Sequence, residues 1–257
     1  MSAPLPLALR ELGGDGPPLV VLHGLLGSSR NWQSAGLALA ERGYRVLAPD
    51  LRNHGSSPWG DDCGYAALAG DVVALLERLA LGPVHLMGHS MGGKTAMRLV
   101  LDRPDLVSRL TIVDIAPRAY GDRVRVEFAA MNALDLTAIR TRKDADALLT
   151  PLVADWGMRQ FILTNLGQDA EGRWGWTVNR AALTAAIPEI LGNPVGADET
   201  WAGPACFIRG GKSGYVRDED LPLIRAHFPQ VDFVTLPESG HNPHFDAKAG
   251  FVDAVCG

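Results

Sequence analysis

Six short apolar runs recur along the chain, and they limit the possible fold more than any other feature. They read LVVLH at 19–23, YRVLAP at 44–49, VHLM at 84–87, LTIV at 110–113, ACFI at 205–208 and VDFVTL at 231–236. A strand covered by other layers on both faces has no wet side to fill with polar residues, so near-continuous apolar runs of this kind suit a parallel sheet. Helical patterns fill the spaces between them. Residues 66–80, AALAGDVVALLERLA, place Leu68, Val72, Leu75, Leu76 and Leu79 on one stripe. Residues 96–101 stay helical until Asp102-Arg103-Pro104 breaks the pattern. Residues 5–12 offer an additional edge strand. Strands alternating with helices predict a doubly wound, mostly parallel α/β sheet.

Residues 117–200 depart from this rhythm. Their composition is largely helical, no clear parallel strand occurs in them, and Trp156, Trp174 and Trp176 lie inside, with Trp201 at the end. A long excursion between two strands is more often a functional lid than a bare loop. The expected division is therefore a core of 1–116 and 201–257 with a helical lid inserted at 117–200. Trp156 and Trp176 are the lid candidates for lining an apolar pocket, although lid core is the commoner fate of any single tryptophan.

The chemistry is concentrated in VHLMGHSMGGKTAMRLVL, residues 84–101. Gly88-His89-Ser90-Met91-Gly92 is G-x-S-x-G between a strand and a helix, as a nucleophile elbow requires. The tight turn puts Ser90 in an unfavourable backbone conformation, and small neighbours are needed for the close approach. In return the hydroxyl stands above the sheet at a helix N-terminus. The same residues, GHSMGGKT at 88–95, also satisfy the phosphate-binding G-x-x-x-x-G-K-[ST], with Asp114 available as a magnesium partner. Two further segments favour the hydrolase. His23-Gly24-Leu25-Leu26-Gly27 follows the first clear strand, where a second oxyanion donor is supplied. Ser239-Gly240-His241 follows the last strand, where a catalytic histidine belongs, so the order is serine, acid, histidine. A phosphate loop uses neither segment.

Composition excludes other classes. The 257 residues are 47% hydrophobic with a formal net charge of −5, which gives no reason to expect nucleic acid or an anionic membrane as partner. No apolar run approaches the roughly 20 residues of a membrane span, and the N-terminus lacks a basic start to a secretion signal, so a cytoplasmic location is expected. Cys63, Cys206 and Cys256 have neither disulfide-framework nor zinc-site spacing. His241 and His244 have metal-like spacing but no visible third ligand, so no metal is expected. A monomer or small homo-oligomer is expected.

The chain resembles the α/β-hydrolase superfamily, and within it the small YbfF-type esterase branch. The segments carrying the resemblance are HGLLGSSRNW at 23–32, DLRNHGSS at 50–57, GHSMGGK at 88–94, VDIAP at 113–117, FIRGGKSGYV at 207–216 and GHNPH at 240–244. It implies an esterase or thioesterase acting on acyl groups without a cofactor. Most members carry the triad acid after the strand ending here at Ile208, but Ser213 occupies that slot. A serine cannot supply the negative charge that stabilises an imidazolium. Asp114, after the strand that follows the elbow, is the expected acid, with Asp218 and Asp220 as fallbacks and a turn-capping role as its ordinary alternative.

The expected reaction is hydrolysis of carboxylic esters or acyl thioesters of small to medium acyl groups. Ser90 forms an acyl-enzyme, His241 acts as base, Asp114 orients it, and the backbone amides of Met91 and Leu25 hold the oxyanion. Carbon–carbon bond hydrolysis, peracid formation and slow-turnover ligand binding use the same constellation and stay open, with nucleotide hydrolysis as a distant alternative. His23, His54 and His89 read as structural hydrogen-bonding groups. Lys94 reads either as partner to a carboxylate near the pocket or as a partly exposed helix residue.

Overall fold

The computed structural model describes residues 2–121 and 125–257. Seven strands form one sheet, in spatial order β1 (Leu9–Gly13), β3 (Arg45–Pro49), β2 (Pro18–Leu22), β4 (Val84–His89), β5 (Val107–Val113), β8 (Ala205–Gly210) and β9 (Val231–Leu236). All neighbours pair in parallel except β1, which runs antiparallel to β3 at the edge. The six apolar runs are the six parallel strands, and the edge strand falls a few residues later than residues 5–12.

The alternation of side chains along these strands explains why the runs are apolar throughout. In β2, Leu19 and Val21 enter a core with Trp32, Leu39 and Phe251, whereas Val20 and Leu22 enter the opposite core with Val72, Leu75 and Val100. The first layer comprises α1 (Gln33–Glu41) and α11 (Lys248–Cys256). The second contains α2 (Tyr65–Leu79) and α3 (Met91–Asp102). Of the stripe expected on α2, Leu68, Val72, Leu75 and Leu76 are buried and Leu79 is half-buried. That helix ends on Ala80 in the left-handed region, φ 48°. Pro104 follows the C-cap of α3 and closes the way to further helix.

Between β5 and β8 the chain forms α4 (Arg125–Ala133), α5 (Arg142–Leu149), α6 (Trp156–Leu163), α7 (Arg180–Ala185) and α8 (Ile187–Leu191). A small antiparallel hairpin of β6 (Leu166–Gln168) and β7 (Trp174–Trp176) also lies here. It contains two of the tryptophans and was not legible beforehand, because three-residue strands show no period. The insertion is bonded to the core at several points. Asn179 donates its backbone N–H to Asn53 O at 3.0 Å, Asn165 Nδ2 donates to Leu26 O at 2.9 Å, and Tyr65 Oη donates to Ile190 O at 2.6 Å. After β8 follow α9 (Leu221–His227), β9 and α10 (Pro243–Asp246).

The chain passes from β2 to β3 on one side of β2 and then to β4 on the other. Such a reversal opens a crevice at the carboxyl ends of the two strands, where ligands bind in open α/β sheets. Residues 23–27 and the Ser90 turn both lie at that edge.

Candidate active site

Ser90 connects the end of β4 to the start of α3 with φ 53° and ψ −117°, a conformation that costs a non-glycine residue on the order of 1–3 kcal/mol and persists only when its surroundings enforce it. Two backbone bonds do so: Ser90 N–H donates to Val113 O at 3.1 Å, and Ser90 O accepts from Lys94 N–H at 3.0 Å. Space is equally constrained. A Cβ on Gly92 would lie 2.5 Å from Leu22 O and 2.6 Å from His23 O, so only glycine lets α3 start this close to the end of β2. A Cβ on Gly24 would lie 3.3 Å from Ser90 Cβ, which puts the Gly24–Leu25 segment directly beside the nucleophile candidate. Met91 opens α3 with its side chain in the core.

The candidate base and the candidate acid also meet. His241 Nδ1 lies 2.8 Å from Asp114 Oδ2, and Asp114 is completely buried. Asp114 itself has φ 51°, and its Oδ1 accepts from Gly210 N–H at 3.0 Å. Ser213 Oγ donates to the same Oδ2 that faces His241. Ser213, in the slot where the resemblance leads one to expect the acid, is therefore a hydrogen-bond donor to Asp114, a contact the sequence does not reveal. The fallback acids lie elsewhere: Asp218 is exposed and paired with Arg209 at 2.6 Å, and Asp220 is paired with Arg118 at 2.7 Å.

The histidine is further fixed by its neighbours. The Tyr215 ring stacks on it with centroids 3.7 Å apart and planes 15° from parallel. His89 Nε2 lies 2.7 Å from His241 O. A carbonyl can only accept, so His89 carries its proton on Nε2. Burial, reinforced by His241 and His244, holds His89 well below the ordinary histidine range. Asp246 Oδ2 accepts from Gly240 N–H at 2.9 Å and steadies the same turn.

Two more histidines shape the loop carrying Leu25. Leu51 N–H donates to His23 Nε2 at 2.9 Å, leaving His23 Nδ1–H for Gly24 O at 2.8 Å. Leu26 N–H donates to His54 Nε2 at 3.2 Å, and His54 Nδ1 lies 2.9 Å from Arg52 O. Burial lowers the pKa of both rings, His54 to about 3. Each is thus a neutral ring with a defined tautomer. Leu26 has φ 59°, and its carbonyl accepts from Asn165 of the insertion. Asn165 is a supporting residue that sequence reading missed; an isolated Asn in a helical segment gives no signal.

A cavity of about 900 Å³ opens over these groups. Ser90, His241, Leu25 and Tyr215 line it from the core, and Met158, Phe161 and Trp156 line it from α6. Trp156, 66% exposed, stands at its edge. Trp176 does not line this cavity; it sits in β7 opposite Leu166, because the hairpin carries it away from α6. Among the described residues, the lining includes the carboxylates Glu127, Asp155 and Asp246 and no lysine or arginine. Burial pushes the Glu127 carboxyl up from its ordinary value.

The family model described as the alpha/beta hydrolase fold matches residues 17–248. The chain belongs to the alpha/beta hydrolase fold family. It is 43% identical over 261 residues to a mouse sn-1-specific diacylglycerol lipase, ABHD11, covering 98% of this chain and 84% of that protein. It is 33% identical to the esterase YbfF of Escherichia coli, covering 93% and 91% of the two chains. A solved marine microorganism esterase superposes with a TM-score of 0.94 at 35% identity, covering 98% of each chain. This α/β-hydrolase is an enzyme of the serine carboxylesterase type, in the YbfF-like branch. Its Lys94 is 1% exposed and donates to carbonyls of the insertion. A phosphate-loop lysine must face its nucleotide, so the alternative motif reading fails on geometry as well as on family. Among the described residues, no helix is long and apolar enough to cross a membrane.

Proposed function

We propose that this α/β-hydrolase cleaves neutral carboxylic esters with small to medium acyl groups through an acyl-enzyme on Ser90. The observation carrying this reading is the buried Asp114 carboxylate, 2.8 Å from His241 Nδ1, with His241 and Ser90 on the wall of one cavity. His241 Nε2 takes the Ser90 proton as Oγ attacks the acyl carbonyl. The Asp114 carboxylate holds the Nδ1–H tautomer and stabilises the imidazolium that forms. Backbone N–H groups of Leu25 and Met91 stabilise the oxyanion; one such donor is worth on the order of 3 kcal/mol in comparable enzymes. The imidazolium gives its proton to the departing alcohol. Water, deprotonated by His241, then attacks the acyl-enzyme; the C–Oγ bond breaks, the imidazolium returns its proton to Ser90 Oγ, and the acid is released.

The cavity's wall supports the choice of substrate class. Three carboxylates without a described lysine or arginine favour neutral substrates over polyanionic thioesters of the coenzyme A kind. The mouse relative's name specifies diacylglycerol, a neutral ester, which fits the same selection. The insertion acts in this reading as a lid whose α6 meets the acyl chain. The three cysteines are free, which suits a reducing compartment and a cytoplasmic location. Hydrolysis of p-nitrophenyl esters of graded acyl length tests the proposal. Wild-type turnover should be abolished by Ser90→Ala, and an enzyme inactive on every ester would overturn the reading.

A further inference from the structure

Lys94 takes no part in that reaction, yet among the described residues it is the buried cation of α3, 1% exposed, and no carboxylate pairs with it. An ammonium in such a place is costly, and an apolar residue of equal length would fill the same volume. Its surroundings explain its presence. Nζ donates to Leu191 O at 3.2 Å and to Gly192 O, the carbonyls with which the insertion returns to the core. The ring of Tyr120, where the insertion departs, lies 4.7 Å from Nζ, and that of Tyr65 on α2 lies 5.8 Å away. Tyr65 Oη donates to Ile190 O, and Tyr120 N–H donates to Leu191 O at 2.8 Å. Three consecutive carbonyls at the end of α8 are thus captured by α2, α3 and the irregular segment with which the insertion departs.

The network continues to the catalytic histidine. Tyr120 Oη accepts from Ala116 N–H at 2.8 Å and donates to Tyr215 O at 2.7 Å, and the Tyr215 ring is the one stacked on His241. Lys94 thereby touches the stem of the insertion, whose α6 provides Met158 and Phe161 to the cavity. Through Tyr120 it is also joined to the support of His241.

We propose that Lys94 is a positioning residue that clasps the two ends of the insertion to the core and so sets how the cavity holds the longer, medium-length acyl chains of the small-to-medium range. The clasp does not require a charge. A neutral amine keeps two N–H donors for two carbonyls, and burial beside Arg118 pushes the Lys94 pKa down to about 7. The charged and titratable groups that face it are Arg118, Tyr65 and Tyr120.

The proposal rests on the esterase reading, and its test separates the two. Lys94→Met retains length and removes the donors. Its KM for a p-nitrophenyl octanoate should rise about 10-fold or more with kcat nearly unchanged, while kinetics on the acetate should shift less than about 3-fold. Lys94→Gln, which keeps an N–H₂ group, should recover part of the octanoate affinity. Tyr120→Phe, which removes the hydroxyl's bonds to Ala116 N–H and Tyr215 O but leaves both bonds from Lys94 to the insertion, should instead lower kcat on both esters alike. Backbone hydrogen exchange at 187–193 should accelerate in Lys94→Met relative to α3, a readout that needs no turnover. If wild type hydrolyses no ester, the functional reading fails and the exchange experiment still decides the clasp. Equal losses on acetate and octanoate, or unchanged exchange at 187–193, would overturn it. Should Lys94→Met not fold, Lys94→Leu, which also lacks the donors, is measured by the same assays, and a wild-type acyl-length profile with wild-type exchange would overturn it.

Discussion

Replacing Asp114 by Asn tests the assignment of the acid most directly. Asp114 is fully buried, and its Oδ2 lies 2.8 Å from His241 Nδ1. The charges of a carboxylate and an imidazolium about 4 Å apart interact by about 4 kcal/mol at an effective dielectric near 20, roughly 10³-fold in rate. Hydrogen bonding adds to this. Gly210 N–H points at Oδ1, so the Asn oxygen stays there and its N–H₂ takes the place of Oδ2. His241 Nδ1 must then accept, which puts the ring proton on Nε2 and removes the lone pair needed by Ser90. The expected loss in kcat/KM on p-nitrophenyl butyrate is about 10³- to 10⁴-fold, with a melting temperature near wild type because the two residues have equal volume. Asp218→Asn should leave the rate within about 2-fold, since Asp218 is exposed on Arg209. Ser213→Ala removes one donor to Asp114 and should cost about 10-fold. A folded Asp114→Asn enzyme that loses less than about 10-fold would refute the reasoning, and comparable loss in Asp218→Asn would move the acid.

Two more expectations follow from burial and charge. His54, His85 and His244 are buried and pushed down to about 3, below the unfolded value of about 6.5. The unfolded chain therefore takes up protons first as pH falls, so this stability is complete above pH 6.5 and is lost towards pH 3. Each ring should cost about 2 kcal/mol at pH 5; urea midpoints at pH 7.5 and 5 measure it, and equal midpoints would contradict the neutral rings. Separately, Glu127→Gln combined with Asp155→Asn removes two carboxylates from the cavity wall, worth about 0.5 kcal/mol each at about 10 Å in a wet site. The ratio of kcat/KM for an anionic over a neutral ester of equal acyl length should rise about 5-fold, as should the wild-type ratio in raised salt. A ratio indifferent to both would remove the charge argument.

Much of this protein is determined by local sequence. Apolar runs without alternation specify strands covered on both faces, and they emerged as the six parallel strands because burial on two sides leaves no position for a polar residue. The elbow was equally legible, since its strain admits only small neighbours at fixed spacing, and the segments around Leu25 and His241 follow strands that the same pattern locates. The pocket-lining candidates divided: Trp156 reaches the cavity wall, whereas Trp176 is carried off by a hairpin too short to show a period. What tertiary structure alone decided are pairings between residues far apart in the chain. Ser213 meets Asp114 across 99 positions, Asn165 meets Leu26 across 139, and Lys94 meets Leu191 across 97. A hydroxyl, an amide or an amine has no periodicity, and each bonds whichever partner the packing of strands and helices brings within reach. Their roles became defined only when the sheet had closed and the insertion had settled on it.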